Sequence, residues 1–323
     1  MRLRVYHRTR YTYPTPAKES HNEARLMPLS DEDQTCLDFR LSTTPPTRVF
    51  AYDLPTGRVH HFHLRPPHTE LTIHAESLVV THRRDPFQGL QLATDDSAFY
   101  NLEAVRQRYY EYLAPTDRVH LHPETDRIAV VAHKQTGAST ASFLIALTRL
   151  LYRVLSYTPG ATNVNSTIQH VLEHKSGVCQ DFAHLMLAIC RRQGIPARYV
   201  SGYLYTGERR TDNTVTTEES GQEILPLEAG DGAGTIDRSL QSNSGEVSPE
   251  AFVGGDAMHA WVECLLPSGE WRGFDPTNNQ VTNDYYVKVH YGRDYGDVPP
   301  LRGVYRGPFA HSMDVSVRVV REG

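Results

Sequence analysis

The chain has 323 residues, of which 39 % are hydrophobic and 22 % charged, with a formal net charge of −5 at pH 7. This is the composition of an ordinary globular protein long enough for two domains. It holds no dense Lys/Arg stripe and no run of about 18 apolar residues, which excludes a nucleic-acid grip and a membrane-spanning helix as expectations.

Residues 1–85 predict a β-rich N-terminal domain. Leu3, Val5, Thr9, Tyr11 and Tyr13 alternate with polar residues, and Pro14 is expected to stop the run. Arg2, Arg4, Arg8 and Arg10 fall on the alternate positions and read as the wet face of that strand. The runs 49–54 and 58–64 flank a Pro55-Thr56-Gly57 turn, and 71–81 is a further strand. Short strands punctuated by turns suggest a small sandwich or barrel. His60, His61, His63, His68 and His74 lie here without a cysteine or carboxylate at ligand spacing, so they do not read as a metal site.

From residue 97 the period becomes helical, and 86–135 reads as a helical connector. Phe99, Leu102, Val105, Tyr109 and Tyr112 share one face. A stronger amphipathic helix runs from Phe143 to Leu155 and ends at Tyr157-Thr158-Pro159-Gly160. A shorter one carries Ile168, Val171 and Leu172 and stops near Ser176-Gly177. Next comes Cys179, followed at helical spacing by Phe182, Leu185, Met186 and Ile189. Arg191, Arg192, Gly194 and Pro196 supply the stop signals.

Cys179 is therefore expected in the first turn of a helix buried along one face. There the unpaired N–H groups and positive dipole end favour thiolate over thiol and can receive an oxyanion. Gly177 would let substrate backbone come close. The bland alternative is a small buried hydrophobe, which is how Cys190, Cys264 and Cys36 are read. Residues 208–253 hold ten acidic and three basic residues, and few apolar ones. They read as a solvated, mobile acidic insertion in a domain spanning 136–323.

Beyond the insertion, residues 258–266 and 270–278 predict two strands joined by Pro267-Ser268-Gly269, a three-residue hairpin loop with Gly269 left-handed. If Leu266 pairs with Glu270, Trp261 faces Asp275, and His259 lies on the same sheet face, diagonal to that carboxylate. A two-residue loop would place them on opposite faces. A thiol, an imidazole and a carboxylate in this arrangement are the parts of a nucleophilic triad.

These residues carry a resemblance. Gly177-Val178-Cys179-Gln180-Asp181-Phe182-Ala183-His184, Ala257-Met258-His259-Ala260-Trp261-Val262-Glu263 and Gly273-Phe274-Asp275-Pro276-Thr277-Asn278 resemble the nucleophile, histidine and aspartate motifs of the bacterial transglutaminase-like proteins. That family is a papain-like superfamily using Cys-His-Asp. Residues 157–162 and 292–298 are similar to further segments of the subgroup, and the β-rich start looks like its N-terminal region.

The resemblance implies an α+β fold: a small N-terminal β-sandwich-like domain, then a core with the nucleophile at a helix N-terminus packed on an antiparallel sheet. It implies Cys179, His259 and Asp275 as catalytic residues, with the oxyanion held by the Cys179 N–H and one other donor; Tyr157, whose segment runs toward the nucleophile helix, is the candidate for that donor. The chemistry is acyl transfer on a peptide or protein amide through a thioester, finished by water or an amine, with no metal or organic cofactor. The alternative is a non-catalytic transglutaminase-like binding module that recruits a partner through the acidic insertion. With no charged leader before an apolar stretch, and with four scattered cysteines, a cytoplasmic, reducing location is expected. Oligomeric state leaves no trace in the sequence.

Overall fold

The structure, a computed structural model, describes residues 1–134, 136, 139–160, 166–207, 252–255, 257–307 and 311–323. The acidic insertion, apart from 252, 253 and its flanks, lies outside the described residues, as do residues 161 and 162 of the Tyr157 segment. The protein is a mixed α/β molecule with a strand-rich N-terminal region and a core of helices packed on an antiparallel sheet. No described helix is long and apolar enough to cross a membrane.

The N-terminal region contains β1 (Arg2–Ala24), β2 (Gln34–Thr44), β3 (Val49–Leu54), β4 (Gly57–Leu64) and β5 (His68–Thr81). β1 does not stop at Pro14. It stays extended to Ala24, but the pairing register breaks between Thr12 and Ala17, across Pro14 and Pro16. Proline lacks the N–H a ladder needs yet fits an extended backbone, so it ends a pairing without ending the strand. Before the break β1 pairs with β5, and after it mainly with β4. The bent strand thus belongs to two layers, and Tyr13, Ala17, Phe62, Leu64, Leu71 and Ile73 pack between them. The arginines of its outward face meet carboxylates: Arg4 with Glu76, Arg8 with Asp314, Arg10 with Glu70. Cys36, expected in a core, is only partly buried on β2.

The helical part holds α1 (Glu103–Arg108), flanked by short 3-10 turns, then α2 (Pro123–His133) and α3 (Thr140–Val154). α2 has no strong apolar stripe, and only Thr125, Ala129 and Ala132 are buried on it. The short parallel pair β6 (Ser156–Tyr157) and β7 (Ser176–Gly177) brackets α4 (Ile168–His174) and leads into α5 (Cys179–Arg192). α5 is buried on all sides, not along one face, from Gln180 to Arg191. It is enclosed by α2, α3 and α4 and by two strands of the core sheet, β8 (Ala197–Leu204) and β9 (His259–Leu265). Its buried polar side chains have partners: the Arg191 guanidinium donates to the carbonyls of Ala114, Ala197 and Arg293, and His184 Nε2 accepts from the Tyr295 N–H at 3.2 Å. Gly194, at φ +77°, ends the helix as its sequence demands. Cys190 and Cys264 are fully buried, with sulfurs 3.7 Å apart.

The core sheet continues with β10 (Trp271–Asp275), β11 (Gln280–Val281) and β12 (Tyr286–Gly292), in the order β11-β10-β9-β8-β12. The chain then leaves the core. β13 (Leu301–Arg306) and β14 (Ser312–Arg321) pair with the two halves of β1. Residues 301–321, assigned by sequence to the catalytic domain, thus complete the N-terminal sheet. Their alternation predicts strands but carries no record of which sheet receives them.

Candidate active site

The β9–β10 hairpin has the register that its loop chemistry predicts. Leu266 N–H donates to Glu270 at 2.8 Å, Gly269 has φ +84°, and Trp271 faces Leu265. His259 and Asp275 consequently share a face, and His259 Nε2 lies 2.8 Å from Asp275 Oδ2. Both side chains are fully buried.

Asp275 is held from every side. Its Oδ1 accepts from the N–H groups of Thr277 (2.9 Å) and Asn278 (3.3 Å), an Asx turn made possible by Asp-Pro-Thr-Asn. Its Oδ2 accepts from Asn278 Nδ2 and from the Tyr286 hydroxyl, each at 2.8 Å, as well as from His259. Burial pushes the carboxyl pKa up, but the His259 charge and these hydrogen bonds reverse the sign and keep it below the usual carboxylate value. Tyr286 is raised well above its usual value, first by burial and then by the Asp275 charge, so it stays a hydroxyl donor.

Burial also disfavours a charged His259. The charge and hydrogen bond of Asp275, with a further contribution from Cys179, outweigh it and raise the imidazole to about 10. Nε2 is committed to Asp275, so Nδ1 is the nitrogen left for the thiol. It is buried, and among the described residues it has no hydrogen-bond partner at ordinary distance. Trp261 stacks beside the imidazole, and Gly202 on β8 makes room for it. A Cβ there would sit 2.4 Å from the indole and 2.2 Å from the Val287 carbonyl.

Cys179 is half-buried at the first position of α5. Its helix is capped by Asp181, whose Oδ2 accepts from the Val178 N–H at 2.8 Å. This corrects the reading of Gly177. A Cβ there would lie 2.7 Å from Asp181 Cβ and Oδ2, so the glycine makes room for the cap and not for substrate. Tyr157 is placed beside Gly177 by the β6–β7 pairing, reinforced by Thr158 N–H donating to the Gly177 carbonyl at 2.9 Å. Cys179, Tyr157 and Tyr295 pack against the same core.

The structure thus gathers Cys179, His259, Asp275 and Tyr157 into one place. Sequence alone assigned no part to Asn278, Tyr286, Asp181 or Gly254. Asn278 and Asp181 could have been found from their i, i+3 spacing to Asp275 and Val178. Tyr286 and Gly254, where a Cβ would lie 2.8 Å from His259 Nδ1, reach the site only through tertiary folding. Among the described residues, no group of three or more His, Cys, Asp or Glu side chains is set to hold a metal ion.

The description of the transglutaminase-like superfamily matches residues 129–276, and that of the bacterial transglutaminase-like N-terminal region matches residues 3–80. The chain is 35 % identical over 322 residues to an uncharacterized protein of Mycobacterium leprae, covering 99 % of each. It is 32 % identical over 331 residues to an uncharacterized protein of Mycobacterium tuberculosis, covering 99 % of this chain and 92 % of that one. A crystal structure from Cytophaga hutchinsonii, of a protein proposed to be a cysteine protease, superposes with a TM-score of 0.67 at 22 % identity, over 99 % of this chain and 90 % of that one. The chain belongs to the transglutaminase-like superfamily.

Proposed function

We propose that this protein is a cysteine-dependent acyl-transfer enzyme acting on amide bonds of peptides or proteins, with Cys179, His259 and Asp275 as its triad. The observation that carries this reading is the buried 2.8 Å His259–Asp275 pair beside a cysteine that opens a buried helix. An imidazole raised to about 10 is a strong acceptor for a thiol proton. The thiolate attacks the amide carbonyl, and the oxyanion is received by the Cys179 N–H and the Tyr157 hydroxyl. The C–N bond breaks as Nδ1 protonates the leaving amine. Water or a second amine then attacks the thioester, gives its proton to Nδ1 and frees the sulfur. Asp275 holds the ring in the tautomer and orientation that both halves need.

The test is acyl-adduct mass spectrometry after incubation with a peptide and amide library. The adduct should map to Cys179 and vanish in Cys179→Ala and His259→Ala. An adduct that persists in Cys179→Ala refutes the assignment.

A further inference from the structure

β3 ends the strand path β2-β5-β1-β4-β3, and among the described residues it pairs only with β4. The strand is exposed from Phe50 to Leu54, with Phe50, Tyr52 and Leu54 open to solvent by 49 %, 42 % and 41 %. A strand edge is ordinarily blunted by a proline, a charge or a bulge, because its unpaired backbone is a template for another strand. β2, at the other end of the path, is blunted in this way: its ladder has a bulge between Cys36 and Asp38, and it carries Arg40. β3 is not. Its register with β4 runs unbroken, and its one charged side chain, Asp53, is neutralised by Arg58 at 2.6 and 2.9 Å.

The hairpin decides which way the β3 backbone points. Leu54 pairs with Gly57 across the two-residue loop Pro55-Thr56, so this closing pair is a hydrogen-bonded one. Bonding alternates along an antiparallel ladder. Leu54, Tyr52 and Phe50 therefore turn their N–H and C=O groups toward β4, while Asp53, Ala51 and Val49 turn theirs to the open edge. These outward groups are symmetric about Ala51. With a two-fold axis at that residue, Ala51 faces Ala51 of a second copy, and Val49 faces Asp53 in both directions. Three facing pairs then exchange two bonds each. Phe50 faces Tyr52 at the non-hydrogen-bonded positions, where side chains approach most closely and an aromatic pair contributes most. No like charges are opposed. A slip of one residue would set outward groups against inward ones, and a slip of two would lose one of the three bonded pairs within the strand.

We propose that β3 is a dimerisation edge at which two copies of this chain join antiparallel about Ala51, continuing the N-terminal sheet from one copy into the other. The proposal is independent of the acyl-transfer reading. One strand pairing covers less than the roughly 800 Å² per partner of a stable interface, so the dimer forms reversibly with concentration.

The test is sedimentation equilibrium of the full chain. Its average mass should rise from one chain toward two as concentration is raised, and no further. Ala51→Pro removes the N–H groups at the axis and none that β4 uses, so it should weaken dimerisation by about tenfold or more. In Ala51→Cys the facing Cα atoms would stand about 5.5 Å apart, a separation that suits a disulfide. Oxidised glutathione should then give a covalent dimer whose cross-linked peptide, identified by mass spectrometry, joins position 51 to position 51. Tyr52→Cys, whose copies stand on a diagonal about 7–8 Å apart, should form no such bridge. A mass that stays at one chain up to the solubility limit overturns the proposal, as does growth beyond two chains or a dimer that a folded Ala51→Pro leaves intact. The cross-link decides the matter alone if that variant does not fold, and absence of the bridge at position 51 overturns the proposal.

Discussion

At the residue scale, Asp275 is a buried carboxylate whose hydrogen-bonding capacity is filled. It receives two backbone N–H groups, an amide, a phenol and the His259 imidazole. Its charge is the main influence raising His259 against the effect of burial. Asp275→Asn keeps the shape and removes that charge, so the imidazole should hold its proton less tightly. Turnover should fall by about 10³–10⁴, and the alkaline limb of kcat/KM should move to lower pH. A pH–rate profile of the variant checks this, and an unmoved alkaline limb contradicts the role assigned to Asp275. The residues that complete this environment differ in how they could be read. Asn278 is three positions from Asp275 in one turn, a local relation. Tyr286 arrives from β12 across the sheet, a relation that no sequence spacing announces.

At the element scale, the site depends on the parity of one loop. Pro267-Ser268-Gly269 sets the register of β9 against β10, and that register puts His259 and Asp275 on one face. Deleting Ser268 shifts parity by one and should turn Asp275 away from the imidazole, with at least about a 10³-fold loss in the rate of acyl-enzyme formation. Inserting two glycines beside Gly269 preserves parity and should leave most of that rate. Comparing single-turnover rates of the two variants separates a register effect from general loop damage. The hairpin and α5 were both legible because their signals are local: turn residues in one case, apolar periodicity and stop residues in the other. The complete burial of α5 was not, since three helices and a sheet have to assemble around it.

At the scale of the whole molecule, the N-terminal sheet and the core are joined by apolar and polar contacts. Leu3, Val5, Val79, Val317 and Val319 pack against Tyr203, Val287 and Val289. Beside them Lys288 on β12 is buried between Asp31 and Glu263, and Glu263 also binds Arg198. The Gln34 amide imitates a strand partner, accepting from the Lys288 N–H and donating to its carbonyl, each at 2.7 Å.

Buried histidines, among them His7 and His184, make stability depend on pH. Burial lowers His7 to about 4. His184 also falls to about 4, mainly through burial and further through Arg118 and Arg191, with Asp294 opposing. Below the ordinary value of 6.5 the unfolded chain takes up protons that the folded chain refuses. Their contribution is therefore complete above 6.5 and is lost as pH falls toward 4, by up to about 3 kcal/mol each. Melting temperatures across that range should fall with pH. His184→Gln, which keeps an acceptor for the Tyr295 N–H, should flatten the slope. An unchanged slope in the variant removes His184 from this account.

The sequence by itself determined the α+β class, the helix that begins at Cys179, and the hairpin that brings His259 and Asp275 to one face. Each follows from local periodicity or turn chemistry acting over a few residues. Tertiary structure alone decided that Gly177 serves the Asp181 cap, that β1 passes through its prolines to join two layers, and that residues 301–321 complete the N-terminal sheet. It also laid Gly254 over the imidazole. These depend on which surfaces meet after the elements form, and strand pairing partners and close backbone approaches leave no periodic mark in the chain.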